Sequence, residues 1–380
     1  MSKDEIFSFY YDILLIDWGD IVRQKALDNK CPSCGAPIKF NAKTQNFKCE
    51  YCFSEYTLEE MKKYNNASNE EANKKEDVKK VVKKKDDTTY VTYLCKNCNA
   101  EIIADENTAA TFCVYCGNTA ILKDKLSGEF APNLIIPFKK EKKDAINAFK
   151  GLKKGRPLVP KTFINEENIE KITGVYIPFW LYDVKVSGLL EAKSTDIKTW
   201  RSGDYTYTKT DIYKMVSDGE MSYEKVPVDG STRFDNDIMN AIEPFNYNEL
   251  EEYNHAYLSG FLAEKYDVNK EDAFVDANDR TLKSTTNKML SDMHVPGSKV
   301  VTNNELKPNI LKAEYAMLPV FMVNVKYKGK YYTFAMNGQT GEFVGNIPLD
   351  KKKAVIYFFS ILTSIFAFIM LVSYIIFLVF

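Results

Sequence analysis

The run Cys31-Pro-Ser-Cys34, fourteen residues, Cys49-Glu-Tyr-Cys52 returns 64 positions later as Cys95-Lys-Asn-Cys98, fourteen residues, Cys113-Val-Tyr-Cys116. Four thiolates in two CxxC pairs can close a tetrahedron on one Zn²⁺, each pair donated by a tight turn and the stretch between them folded as a short hairpin. Each set spans 22 residues from first to last cysteine, too few to bury a core. Metal binding must therefore supply the folding free energy, on the order of 10 kcal/mol or more. Four sulfurs leave no open coordination position, so two structural zinc ions, without a catalytic role, are expected. A rubredoxin-like iron site uses the same donors and stays open as an alternative, while paired disulfides conflict with a reducing compartment. Gly35 and Gly117 follow knuckle cysteines, where the backbone turns left-handed, and Asn99 is a permitted substitute. Phe53 breaks that rule and predicts a local distortion in the first ribbon.

The second constraint lies at the other end. All 103 charged residues, 51 basic and 52 acidic, precede Ala354, and the 27 residues Ala354–Phe380 carry none. As a helix that run is roughly 40 Å long, enough for one tilted crossing of a bilayer and too short for two. Lys351, Lys352 and Lys353 abut it on the N-terminal side, which places the preceding chain in the cytoplasm. The expectation is a single-pass tail anchor in the cell membrane. Near the N-terminus, Asp4, Glu5, Asp12 and Asp17 interrupt the apolar residues, so no secretory signal is read there. Phe7, Tyr11, Leu14, Trp18 and Ile21 instead fall on one stripe of an amphipathic helix suited to packing on a neighbour.

The resulting layout is multidomain, with an N-terminal helix over 1–27, ribbons at 28–61 and 90–125, a charged linker over 62–89, an α+β domain over 131–349 and the anchor at 354–380. Lys62–Asp87 holds nine lysines and six acids and reads as a solvated, disordered or partly helical tether. Each ribbon balances three lysines against four acids, so neither has the basic stripe of a phosphate-binding module, and nucleic acid is argued against. In the α+β domain the pattern predicts strands over Val175–Val186, Tyr205–Val216 and Val320–Tyr327 and a hairpin over Tyr331–Val344. Helices are expected over Lys142–Lys153, Asn248–Tyr266 and Ala277–Met293. Two segments look alike at 141 positions' distance, Ile177-Pro-Phe-Trp-Leu-Tyr-Asp-Val-Lys-Val-Ser-Gly188 and Leu318-Pro-Val-Phe-Met-Val-Asn-Val-Lys-Tyr-Lys-Gly329, which predicts a duplicated unit sharing one antiparallel sheet. Catalysis finds no constellation. His255 and His294 stand alone, Glu251-Glu252 and Asp235-Asn-Asp237 lack a partner, and Asp267-Val-Asn-Lys-Glu271 starts like a calcium loop but has Asp272 where glycine is required. No GxxxxGK[ST] occurs.

The paired ribbons, the stretch from Leu134-Ile-Ile-Pro-Phe-Lys through Pro157-Leu-Val-Pro160 to Gly174-Val-Tyr-Ile-Pro-Phe-Trp-Leu-Tyr-Asp183, and the lysine-flanked apolar end resemble a family of zinc-ribbon membrane proteins found mainly in Gram-positive bacteria. The family is often labelled primosomal-helicase-related, a label at odds with the missing nucleotide loop. Tyr332–Glu342 is also similar to a PepSY-type hairpin. The resemblance implies a non-enzymatic adaptor that recruits protein partners to the membrane, phage-shock-protein-A-like or flotillin-like ones, in envelope stress. A nucleic-acid-associated ribbon protein held at the membrane is the alternative. With the apolar run reaching Phe380, the tail that relatives carry beyond the membrane is expected to be absent.

Overall fold

The computed structural model describes residues 24–25, 29–64, 83–85, 88–95, 101–105, 107–112, 119–122, 126, 130–152, 154–160 and 163–379. The expected N-terminal helix lies outside the described residues, except that Gln24–Lys25 (β1) is a strand. In the first cysteine set, β2 (Ile38–Asn41) and β3 (Asn46–Cys49) form an antiparallel hairpin, and β4 (Glu55–Tyr56) pairs with β3. Ile38 and Phe40 alternate with exposed Lys39, the period-two signature of a half-buried strand. A helix over 58–64 (α1) follows. The charged linker is not a uniform tether, because Lys83–Lys85 (β5) pairs antiparallel with β6 (Thr88–Leu94), which also pairs parallel with β1 and antiparallel with β7 (Glu101–Asp105). Lysine-rich sequence alone did not reveal that pairing, since it depends on the partner strand.

One strand pairing of the first cysteine set recurs in register in the second, while β7, at the place of β2, pairs with β6. Phe47↔Tyr56 and Lys48↔Glu55 pair β3 with β4; 64 positions on, Thr111↔Ala120 and Phe112↔Thr119 pair β8 (Thr108–Phe112) with β9 (Thr119–Ile121). There the two units part company, because β8 also joins β14 of the large sheet introduced next.

That sheet has eleven strands, laid out as two halves of one design. The first half runs from β10 (Leu134–Ile135) through α2 (Lys142–Gly151) and α3 (Glu166–Glu170) into β11 (Thr173–Ser202) and β12 (Tyr205–Asp229), followed by α4 (Asn236–Ala241) and β13 (Glu251–Glu252). The second runs from β14 (Leu262–Glu264) through α5 (Lys270–Asp292) and β15 (Ser298–Asn304) into β16 (Lys307–Tyr327), β17 (Lys330–Asn337) and β18 (Phe343–Gly345). The two look-alike segments lie side by side, antiparallel, with Ile177 opposite Leu318, so a pseudo-two-fold axis passes between equivalent residues. Each half lends its opening strand to the other half's long strand: Leu134 and Ile135 pair with Ala316 and Met317, while Leu262 and Ala263 pair with Val175 and Tyr176. The turn hydrogen bonds match as well. Pro178 O accepts from Gly230 N and Pro319 O from Gly338 N, while Gly230 O accepts from Asp267 and Val268, and Gly338 O from Lys139 and Lys140. A Cβ at Gly338 would lie 2.6 Å from the Phe138 ring, so the close approach requires glycine.

The apolar run of β11 is buried on both faces, which is why it reads as continuous and not alternating. Tyr176, Trp180 and Tyr182 enter one core cluster; Val175, Ile177, Phe179 and Leu181 enter the other, with Leu318 and Val320. A bulge at Asp183 re-aims the strand. Helix α5 starts earlier than the expected Ala277 because Asn269 accepts from Asp272 N as its N-cap. Ala273, Ala277, Thr281, Thr285 and Met289, each four apart, form its buried face. The helix expected over Asn248–Tyr266 is absent. Asn246 and Asn254 cap short 3₁₀ turns at Tyr247–Glu249 and His255–Leu258, Gly260 has φ 92°, and β14 follows. Finally, α6 (Lys351–Val379) contains Lys351–Ile375, the one helix among the described residues long and apolar enough to cross a membrane, exposed from Val355 to Ile375.

Candidate metal centre

Two turns of the same construction present the first four cysteines. Cys31 N donates to Ala36 O and Gly35 N to Cys31 O; Cys49 N donates to Ser54 O and Phe53 N to Cys49 O. Gly35 has φ 71° and Phe53 φ 61°. The distortion expected at Phe53 is thus corrected: the hydrogen-bonded knuckle imposes the left-handed backbone on whichever residue occupies that place, and Phe53 bears the steric cost.

The four Sγ atoms all lie within 4.8 Å of one another, Cys31 and Cys49 buried, Cys34 and Cys52 exposed. Cys31 Sγ is 3.5 Å from Cys52 Sγ, and Cys34 Sγ 3.6 Å from Cys49 Sγ. A tetrahedral zinc with bonds of about 2.3 Å needs sulfurs about 3.8 Å apart, so the set fits such an ion, although sulfur geometry does not separate zinc from iron. Around it, Tyr56 Oη lies 3.7 Å from Cys31 Sγ and contacts Ser33 Oγ. The Ser54 hydroxyl and backbone favour the thiolate of Cys52 and hold it down at about 6. At Cys34 the Ala36 backbone works in the same sense, but the neighbouring thiols, Cys52 foremost, prevail and push it up to about 12. Metal binding would require all four to lose their protons. Of the second set, Cys95 is buried at the end of β6, and Cys98, Cys113 and Cys116 lie outside the described residues, as do Asn99 and Gly117.

Sequence reading missed where the first unit sits. It does not stand alone: Phe40 and Phe47 meet Tyr257 at ring-centroid distances of 5.1 and 6.3 Å, Phe40 N donates to Ser259 O, and Gln45 Nε2 donates to Phe138 O at 2.9 Å. A cleft of 390 Å³ remains between unit and domain, lined in part by Lys39, Lys140, Lys142, Phe261 and Phe321. The available signal was the pair Phe40 and Phe47 on one face of a hairpin too small to cover them.

The other residues singled out are dispersed. His294 Nδ1 lies 2.6 Å from Asp292 O, His255 sits in a 3₁₀ turn, and Asp235 caps α4. Glu251 accepts from Tyr257 Oη, and Asp267, first residue of the calcium-like stretch, accepts from Thr232 N, Thr232 Oγ1 and Asn107 Nδ2. Asp229, unremarked in sequence, has its carboxyl pushed up to about 8 by burial, with Ser231 N on one oxygen.

No family profile matches the chain, and no solved structure matches it. The chain is 33% identical over 344 residues to the uncharacterized protein YdjG of Bacillus subtilis (strain 168), a match that spans 90% of this chain and 96% of that protein.

Proposed function

The chain belongs to the same protein family as YdjG of Bacillus subtilis, and from that premise we propose that it is a membrane-anchored zinc-ribbon adaptor that gathers protein partners at the bilayer from the cytoplasmic side. The observation that carries this reading is the pairing of an uncovered apolar helix with a docked cysteine knuckle that turns aromatic side chains outward. Tyr51 and Phe53, on either side of Cys52, are each 71% exposed, at the place where a closed Cys₄ site offers surface in place of chemistry. Lys351–Lys353 at the start of α6 support a cytoplasmic soluble part. The identical β3–β4 and β8–β9 registers support a second ribbon built by Cys95, Cys98, Cys113 and Cys116, hence about two zinc ions per chain. By the family resemblance the partners are phage-shock-protein-A-like or flotillin-like, in an envelope-stress setting.

Affinity capture of the full chain from detergent-solubilised cells tests the reading. Specific partners should be recovered with the native chain and lost with Tyr51→Ser plus Phe53→Gly, which leaves the ligands in place; capture indifferent to that change removes the ribbon from partner recruitment. Metal analysis should return zinc without iron's visible colour.

A further inference from the structure

Helix α6 leaves the sheet beside a hairpin tip. Strand β18 pairs Gly345 with Phe334 and runs antiparallel to β17, toward the β16–β17 turn. Asp350 is five steps along the chain from Gly345, a reach of at most about 17 Å, and Lys330 at the tip is four steps from Phe334, about 13 Å along the strand. The segment between α2 and α3 ties the two together: Asp350 N donates to Leu158 O at 2.9 Å, Lys353 Nζ donates to Val159 O at 2.7 Å, and the Phe163 ring sits 5.7 Å from both Tyr327 and Tyr332. The tip and the first turn of α6 therefore share one end of the molecule.

That end is basic and aromatic. Lys326, Lys328 and Lys330 are exposed, and none of them forms an ion pair among the described residues. Lys326 Nζ lies 5.5 Å from the centroid of Tyr331, which is 71% exposed, and Lys328 Nζ lies 5.2 Å from that of Tyr327. Lys154 and Arg156 are exposed on the adjoining segment. The Asp350 carboxylate at this end accepts from Lys352 N, and Glu166 and Glu170 follow on α3. Tyrosine with lysine is the side-chain pair that settles at a membrane–water interface, ring at headgroup level and ammonium on phosphate.

We propose that the β16–β17 tip is a second contact with the bilayer, Lys326, Lys328 and Lys330 engaging anionic lipid headgroups beside the α6 span. The inference rests on α6 crossing the membrane. Each lysine near an anionic surface gains enough to slow its release about fivefold, and salt screens the effect. Full-length protein is reconstituted into vesicles of phosphatidylcholine alone or phosphatidylcholine doped with phosphatidylglycerol, and lysine acetylation is followed residue by residue. Acetylation of Lys326, Lys328 and Lys330 should be about fivefold slower in the anionic vesicles and recover in high salt, while Lys198 and Lys209 on the far hairpin label alike in both. Equal labelling of the tip in both vesicles, or protection that ignores lipid charge, overturns the proposal. Flotation on the same samples separates the two readings: protein that fails to float with the vesicles defeats the α6 span itself, whereas floating protein with an unprotected tip defeats only the tip contact.

Discussion

The chain carries two internal repeats, and they behave in opposite ways. The sheet halves close on each other: Ile177 faces Leu318, and each half's opening strand pairs with the other half. The cysteine units do not pair strand to strand: the first rests on the 3₁₀ turn at Tyr257, and the second enters the sheet through β8. A strand presents unmet backbone donors and acceptors along its edge, and an identical partner meets them best. A metal knuckle satisfies itself through its ligands and needs only a surface to cover its aromatic face. One repeat should thus make a single cooperative body, and the metal-binding one local folding events.

Zinc withdrawal should break or confirm that contrast most forcefully. Replacing Cys31 and Cys34 with Ser removes metal-linked folding on the order of 10 kcal/mol from the first unit. Amide exchange should become fast over β2 and β3 while β11 and β16 stay protected; a sheet that opens as well would abolish the distinction. Next in size, Ile177→Ala and Leu318→Ala should each cost about 2–5 kcal/mol. Because the two face each other, the double mutant should depart from additivity, and calorimetry should show both halves melting in one transition.

The halves also differ at one matched position. Asp229 opposite Phe179 corresponds to Asn337 opposite Val320, and each Oδ1 accepts from the amide two residues on. The folded value of Asp229, about 8, stands above the roughly 3.9 of an unfolded aspartate, so the folded chain binds the proton more tightly. Its contribution to stability is complete below about pH 4 and is lost as pH rises through about 8. Asp229→Asn should therefore raise stability at alkaline pH, by up to about 5 kcal/mol, and leave it unchanged in acid, read from thermal unfolding at the two pH values. A gain at both would remove the carboxyl's charge as the cause. Smaller still, Phe53→Gly makes the second knuckle like the first and should stabilise it by about 1 kcal/mol, seen as slower zinc transfer to a competing chelator. Least of all, excising Ile197–Thr210 and rejoining the hairpin should change stability by no more than about 0.5 kcal/mol, because that segment is almost wholly exposed.

The features legible in sequence were those fixed by spacing: the knuckles, the uncharged end, and the doubled Pro-led strand. The length of β11 and β12 was not legible. Beyond Asp196 every residue of the hairpin as far as Thr210 is exposed, so the apolar alternation that marks a strand is lost there, and the ribbon is held by cross-strand pairs such as Trp200 on Tyr207, 5.7 Å apart. Asn248–Tyr266 misled for the reverse reason. Its aromatic and apolar residues pack as a helix face would, yet asparagine caps and Gly260 divide it into turns. The seat of the first ribbon depends on Tyr257 and Ser259, more than 200 residues away in sequence, a distance that local patterns do not report.

Antiparallel pairing about a two-fold sends the two hairpins in opposite directions. The second turns at Lys328–Gly329, beside α6; the first passes the equivalent Gly188 and continues to Ser202. Twelve further residues, at about 3.3 Å each, carry Trp200, with Tyr207 opposite it, some 40 Å outward on a paired ribbon. A flexible tether sets only an average separation, whereas here the standoff between the chain's apolar end and its farthest aromatic pair is a ruler, graduated in residues of paired strand.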